Sequence, residues 1–336
     1  MKLQTQIPLD QAANQIGYDN QLLLLGSCFV ENMGKKLEYF KFRQLRNPFG
    51  ILFHPLAIEQ LVSGAVREEF YSESDIFQHD GLWHCFDAHS ELSDPSSENL
   101  LASLNDGLKA TRKQISKASH IIITLGTAWV YKHLDSGGIV ANCHKVPQKE
   151  FSKELLPIAE IAASLRRSIQ LMQSVNPNVL IIFTLSPVHH LKDGFIQNQR
   201  SKAHLISAVH QVMQDLGTSS DRAADQTNSE LTEPKTNGLP VYFPSYEIIM
   251  DELRDYRFYE RDMLHPNQLA IDYIWEKFRH VWISKDAQPT MEKVEEIRKG
   301  LRHLPFHPES EQHLTFRKSL ETKIFNLKAQ YPFMDF

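Results

Sequence analysis

The sequence has few cysteines and no excess of charge of either sign. Its three cysteines, Cys28, Cys85 and Cys143, exclude a disulfide framework and lack the paired spacing of a zinc site. The 36 Lys and Arg residues against 41 Asp and Glu give a net charge of -5, which provides no basic field for a polyanion. We therefore expect no nucleic-acid partner and predict no metal or other cofactor.

Long apolar runs and glycine-rich phosphate loops are also missing. No stretch approaches the roughly 20 apolar residues that a membrane-spanning helix needs, so no membrane association is expected. Residues 1–8 lack the apolar core and the small-residue cleavage site of an export signal, which predicts a cytoplasmic protein. The 14 glycines form neither a dinucleotide-binding nor a phosphate-binding fingerprint. Hydrophobic residues make up 42% of the chain and charged residues 23%, as in ordinary soluble globular proteins.

The chain is organised around four consecutive leucines at positions 22–25. This run is too short for a separate helix and is typical of a strand buried on both faces. After Gly26, apolar residues recur at helical spacing, at Phe29, Met33, Leu37 and Phe40. The pattern puts the Ser27 hydroxyl at the carboxyl end of a strand and beside a helix N-terminus, where open α/β sheets have their active sites. Ser27 is the candidate nucleophile, and the alternative is a small residue that fits a tight turn or caps the helix. Cys28 is the rival nucleophile, although buried packing is the more usual role of such a cysteine.

Further strands and helices alternate along the chain. Apolar runs at residues 121–125, 179–185 and 241–243 predict strands, with helical spacing between them. This alternation predicts a doubly wound, three-layer α/β/α fold with a mostly parallel sheet. Residues 135–138, Asp-Ser-Gly-Gly, predict a hairpin turn between two short strands.

Two segments differ in composition from this main pattern. Residues 217–238 are polar and almost free of large apolar side chains, which predicts a flexible insertion. Beyond about residue 285 the chain turns to charged, amphipathic helical segments. We therefore predict a catalytic domain at 1–285 and a helical extension at 286–336.

The motif Gly-Ser-Cys-Phe-Val at residues 26–30 resembles the signature of the GSCFA family, whose members usually have Ala in place of Val30. Five more blocks resemble family blocks in family order: Asn-Pro-Phe-Gly at 47–50, Leu-Gly-Thr-Ala-Trp at 125–129, Asn-Cys-His-Lys at 142–145, Ser-Pro-Val at 186–188 and Asp-Met-Leu-His-Pro at 262–266. The resemblance covers roughly residues 20–285. The family is similar to the SGNH/GDSL hydrolases, which are flavodoxin-like esterases and acyltransferases, and it implies that fold and a serine hydrolase activity.

Asp262 and His265 are the candidate partners of Ser27. A serine hydroxyl needs a base that is oriented by a third group, and Asp262 can hold His265 in the tautomer that accepts the Ser27 proton. In SGNH hydrolases a late Asp-x-x-His segment has these two roles. The alternative is that Asp262 caps the following helix, with Pro266 in its first turn.

An acyl-transfer site also needs donors for the oxyanion. The candidates are the backbone N–H of Ser27 and that of Gly50, whose lack of a side chain allows close approach to substrate. SGNH enzymes usually add a Gly-x-Asn segment, but this chain reads Gly-Thr-Ala at 126–128. The Thr127 hydroxyl and the Asn142 amide are the possible substitutes.

Four residues, Asn47, Gly126, Trp129 and His144, are predicted to bind substrate. Trp129 could stack on a sugar ring, although aromatic side chains more often belong to a core. Neighbouring residues of a strand point to opposite faces, so Cys143 and His144 are not expected to share a metal.

Two functions remain from these observations. The first is a serine esterase or acyltransferase acting on a small acyl ester, with O-acylated carbohydrate as the substrate class that the resemblance implies. The second is a carbohydrate- or ligand-binding protein with a degenerate site, which the missing asparagine favours. The sequence leaves the acyl group, the acceptor and the oligomeric state open.

Overall fold

The computed structural model describes residues 4–224, 238–304 and 306–336. The strands are β1 (Gln21–Gly26), β2 (Arg43–Arg46), β3 (Phe77–His79), β4 (Leu82–His84), β5 (His120–Leu125), β6 (Trp129–His133), β7 (Ile139–Val140), β8 (Phe151–Leu155), β9 (Leu180–Leu185) and β10 (Val241–Phe243). The helices are α1 (Cys28–Tyr39), α2 (Pro55–Arg67), α3 (Ser97–Lys117), α4 (Ile158–Val175), α5 (Phe195–Ala224), α6 (Ser245–Glu247), α7 (Gln268–Trp282), α8 (Gln288–Arg302) and α9 (Glu311–Gln330).

A parallel five-stranded sheet in the order β10-β9-β5-β1-β2 forms the centre of the fold. Helices cover both faces of this sheet. The leucines of β1 separate the two cores: Leu23 and Leu25 pack in one hydrophobic cluster, and Leu22 and Leu24 pack in the other. This confirms the prediction of a strand buried on both faces and of a mostly parallel α/β fold. Each fully buried leucine contributes about 1.5–3 kcal/mol to folding.

Two small antiparallel sheets stand beside the main one. β3 pairs with β4, and β6 pairs with both β7 and β8. The β6–β7 hairpin has the turn predicted at residues 135–138. The sequence of β2, Arg-Gln-Leu-Arg, has no apolar run, and β2 was not among the predicted strands. It is instead a parallel edge strand of the main sheet, with Leu45 opposite Leu23 of β1.

Two segments differ from the sequence prediction. Helix α5 continues to Ala224, so the first residues of the predicted insertion are helical, while 225–237 lie outside the described residues. The sequence also predicts a helix from Tyr246 to Leu253, but this segment is a short helical turn, α6, followed by a π-helix at Ile248–Glu252.

The C-terminal segment packs on the main core. Met291, Val294 and Ile297 of α8, with Leu327 of α9, belong to the same hydrophobic cluster as Leu22 and Leu24 of β1. Within the described part of the chain, no helix is both long and apolar enough to span a membrane.

Candidate active site

A strained glycine sets the position of the serine at the end of β1. Gly26 has φ +130°, and a Cβ there would lie 2.1 Å from the carbonyl oxygen of Thr124 on β5. Glycine alone fits such close strand packing. The Gly26 N–H donates to Asn47 Oδ1 at 2.9 Å. The chain therefore turns sharply out of β1 into α1 at Ser27.

Ser27 is the N-cap residue of α1, but its side chain makes no capping hydrogen bond. The residue is fully buried, and its Oγ has no hydrogen-bond partner. The helix-cap alternative is thus wrong for the hydroxyl. The Ser27 N–H donates to the Thr124 carbonyl at 3.0 Å, so the prediction that this N–H binds an oxyanion is wrong as well.

The Asp262 and His265 side chains are joined by a short hydrogen bond. His265 Nδ1 lies 2.6 Å from Asp262 Oδ2, and Asp262 Oδ1 accepts the backbone N–H groups of Leu264 and His265 at 2.9 and 3.0 Å. These backbone hydrogen bonds, followed by that of the His265 ring, lower the pKa of Asp262 to about 2. Asn267 caps α7 by accepting the Ala270 N–H. Asp262 is therefore an ionised partner of His265 and does not cap the helix.

The segment carrying His265 is attached to the carboxyl end of the main sheet. The His189 N–H, four residues beyond the end of β9, donates to the Leu264 carbonyl at 3.2 Å. Since β9 and β1 are parallel strands of one sheet, Ser27 and His265 lie at the same edge. They are not hydrogen-bonded to each other, because Ser27 Oγ has no partner.

His190 lies next to Ser27. A Cβ built on Gly126 would be 3.2 Å from Ser27 Cβ and 3.3 Å from His190 Nε2, so these two atoms are at most about 6.5 Å apart. His190 Nε2 is buried and has no hydrogen-bond partner. Burial, and then the neighbouring Lys202, lower the pKa of His190 to about 3, which makes its imidazole neutral near pH 7. Two unpaired polar atoms, Ser27 Oγ and His190 Nε2, thus occupy one small buried region.

Lys202 of α5 is buried beneath this region. The residue is 1% exposed, and its Nζ donates to the carbonyl oxygens of Gly126 at 2.8 Å and Ser186 at 2.7 Å. Burial lowers its pKa to about 7. Lys202 therefore links the segments that follow β5 and β9, which carry Gly126 and His190.

A cavity of about 480 Å³ opens beside His190. Four of the predicted site residues line it: Thr127, Trp129, Asn142 and His144. The other lining residues are Phe53, His54, Tyr131, Val140, Ala141, Cys143, Lys145, Val146, Gln148, Phe151, Lys153, His190, Lys192 and Asp193. Ser27 lies behind the wall that His190 helps to form.

Three of these lining residues make hydrogen bonds within the protein. The Thr127 hydroxyl contacts Ser201 Oγ at 3.1 Å and accepts the Trp129 N–H. His144 Nε2 contacts the Cys85 carbonyl at 2.7 Å, and burial lowers the pKa of His144 to about 4. Asn142 Oδ1 accepts the His144 N–H.

Two predicted residues have structural roles instead. The Gly50 N–H donates to the Asn47 carbonyl at 2.8 Å, and a Cβ on Gly50 would lie 2.4 Å from His89 Cβ, so the prediction of an oxyanion donor there is wrong. The Asn47 side chain accepts the Gly26 N–H and donates to Glu31 at 2.7 Å. Asn47 thus holds the β1–α1 turn through both its amide oxygen and its amide nitrogen.

The family model for GSCFA matches residues 21–278, most of the chain. The chain belongs to the GSCFA family. The family's C-terminal domain matches residues 294–336. No functionally curated protein matches significantly.

Two solved structures are similar to this GSCFA protein over most of their length. One is a carbohydrate esterase family 3 protein from Talaromyces cellulolyticus, with 7% identity, a TM-score of 0.34, and coverage of 82% of this chain and 99% of that one. The other is a mutant acetyl esterase with acetate ion, with 12% identity, a TM-score of 0.29, and coverage of 83% and 99%.

Sequence reasoning missed that His190 and Lys202 lie in the buried region around Ser27 in this GSCFA protein. Lys202 had a detectable signal, because it lies at helical spacing with the buried Asn198, Leu205 and Val209 of α5. His190 had none, since its position near Ser27 depends on the path of the chain after β9. Within the described residues, no group of three or more His, Cys, Asp or Glu side chains could hold a metal ion.

Proposed function

We propose that this protein is a serine esterase or acyltransferase acting on an acyl ester. The observation that supports this most is an ionised Asp262 holding His265 at 2.6 Å, on the same sheet edge as a buried serine hydroxyl without a partner. A native protein rarely leaves a buried hydroxyl unpaired, and active sites are among the places where it does.

In the proposed reaction Ser27 Oγ attacks the acyl carbon of the ester. His265 takes the serine proton and returns it to the leaving alcohol, and Asp262 stabilises the imidazolium formed between these steps. Water then attacks the acyl-enzyme in hydrolysis, and an alcohol does so in transfer. Either acceptor regenerates the free Ser27 hydroxyl.

We assign the oxyanion donor to His190. Its neutral imidazole, in the tautomer with the proton on Nε2, offers an unpaired N–H to the region beside Ser27. A donor directed at developing charge in a buried site contributes roughly 10²–10³-fold to kcat. His190 would thus replace the asparagine that the 126–128 segment lacks.

Substrate must also bring Ser27 and His265 together. The His190 segment is tied to the His265 segment through the His189–Leu264 hydrogen bond, so the two segments can shift as a unit. Catalytic hydrogen bonds are often long in the absence of ligand and tighten when substrate binds. We therefore expect Ser27 to become accessible from the cavity as this unit moves.

Labelling with a fluorophosphonate probe tests the proposal. The wild-type protein should be modified at Ser27, the S27A variant should not react, and C28A should react as the wild type does. Hydrolysis of a panel of acetyl esters should be lost in S27A and H265A. Labelling that survives in S27A would contradict the assignment of the nucleophile.

The role of His190 can be tested separately. His190→Gln keeps an N–H donor and should retain more activity than His190→Leu, with the difference in kcat and not in KM. Equal kcat values in the two variants would contradict the donor role.

A second function, ligand binding without catalysis, is favoured by the complete burial of Ser27 and its separation from His265. A folded wild-type protein that binds a saccharide but neither reacts with the probe nor hydrolyses any ester would support this second function.

A further inference from the structure

We propose that the cavity binds an anionic saccharide, so that the ester substrate is an O-acylated sugar acid. Only one part of this inference, that the bound sugar carries an acyl ester, rests on the proposed esterase function. The evidence for the anion lies in the walls of the cavity, away from Ser27.

The cavity is cationic in a protein that carries a net charge of -5. Three lysines line it, Lys145, Lys153 and Lys192, against one carboxylate, Asp193. Asp193 forms an ion pair with Lys153. No ion pair of Lys145 or Lys192 occurs among the described residues. The cavity therefore has an excess of two positive charges that the protein itself does not neutralise.

Two of these ammonium groups converge on one aromatic ring. The Nζ atoms of Lys153 and Lys192 lie 5.1 and 5.6 Å from the centre of the Tyr131 ring, and Lys153 also lies 5.4 Å from that of Trp129. Ring faces attract cations and so hold both ammonium groups in place. Both lysines also act on the Cys143 thiol, whose pKa is raised by burial and lowered by their charges. The two cations thus face the same part of the cavity.

Lys192 has no carboxylate partner among the described residues, so a bound anion would supply a counter-charge at this part of the cavity. Carboxylate, phosphate and sulfate all satisfy this requirement. The remaining wall favours a saccharide, because it combines aromatic rings with polar groups of Asn142 and Gln148.

The volume is consistent with one or two sugar rings. At about 480 Å³ the cavity falls in the range of pockets that bind small molecules. It adjoins His190, so a sugar in the cavity would present an acyl group to the Ser27 region.

Calorimetry on the full-length S27A variant tests the anion site without any need for turnover. The probes are methyl glucuronide and methyl glucoside, which differ by a carboxylate against a hydroxymethyl group. We expect the glucuronide to bind at least tenfold more tightly, and Lys192→Gln to remove most of that difference. Lys132→Gln is the matched control, since Lys132 is an exposed residue of β6 outside the cavity.

Equal binding of the two glycosides, or an effect of K132Q as large as that of K192Q, would overturn the anion site. Inorganic phosphate and sulfate form a further arm of the experiment. If either binds as tightly as the glucuronide, the saccharide part of the inference is wrong.

The acetylated forms of the two glycosides separate this inference from the esterase proposal. We expect the wild-type enzyme to prefer the acetylated glucuronide in kcat/KM, and K192Q to lower that preference about tenfold. Hydrolysis of both acetylated glycosides with equal kcat/KM would support the esterase function and refute the anion site. Selective binding of the glucuronide without hydrolysis or probe labelling would leave the anion site standing and refute the esterase.

Discussion

Replacement of Lys202 by Met should destabilise the protein by an amount that grows with pH. The Nζ of Lys202 donates to two buried carbonyl oxygens, those of Gly126 and Ser186. Methionine leaves both unpaired, at a cost of about 1–3 kcal/mol each. A neutral amine still has two N–H groups, so above its pKa the lysine satisfies both carbonyls without a buried charge.

The sign of the pH dependence follows from the lowered pKa of Lys202, which is about 7 against 10.5 for the ordinary side chain. Below pH 7 Lys202 carries its proton in both the folded and the unfolded state, so it does not make the free energy of unfolding depend on pH. Between pH 7 and 10.5 the unfolded chain binds more protons than the folded chain, and stability rises with pH. Between pH 7 and 9 the wild type should therefore gain about 2 kcal/mol relative to K202M.

Urea unfolding of both proteins at pH 6, 7, 8 and 9 measures this difference. Titration of groups away from Lys202 cancels in the comparison, and His190, whose pKa Lys202 also lowers, titrates at about 3, below this pH range. The exposed Lys149→Met serves as control and should show no such trend. A difference between wild type and K202M that stays constant from pH 7 to 9 would refute the reasoning, because it would mean that the buried ammonium keeps its ordinary pKa.

Two other predictions concern the turn at Ser27 and the Asp262–His265 pair. Gly26→Ala should destabilise the protein by several kcal/mol, because the new Cβ would lie 2.1 Å from the Thr124 carbonyl oxygen at a φ of +130°. The control Gly81→Ala, at φ +75° with no atom within 4 Å of the new Cβ, should cost only about 1 kcal/mol. Urea unfolding measures both changes. Asp262→Asn should lower kcat toward acetyl esters by roughly 10²-fold or more, with little change in KM, because the amide no longer stabilises the His265 imidazolium. Steady-state kinetics measure this change, and an unchanged kcat would exclude the pair from catalysis.

The pattern of single elements was predictable. Leu22–Leu25 alternate between the two cores, so a continuous apolar run correctly indicated a strand buried on both faces. The Asp262–His265 hydrogen bond could also be predicted from the sequence, because two residues three positions apart on one turn are brought together by local geometry alone. β2 was missed because an edge strand needs no apolar run, and its pairing with β1 is decided by backbone hydrogen bonds.

The oxyanion candidates were the weakest part of the sequence reasoning. Gly50 and the Ser27 N–H were chosen for chemical suitability, yet both N–H groups are used by neighbouring carbonyls, of Asn47 and Thr124. The sequence shows which N–H donors exist but does not show which of them already donate to backbone carbonyl oxygens in the fold.

The sequence by itself determined the strand–turn–helix around Ser27, the succession of strands and helices, and the family to which the chain belongs, because each of these is encoded within short segments. Only the tertiary structure decided that His190 lies near Ser27, that Lys202 joins two strand ends, and that Lys153 and Lys192 converge on Tyr131. These contacts join residues that are far apart in the chain. Their distances depend on how whole elements pack, which no local periodicity specifies.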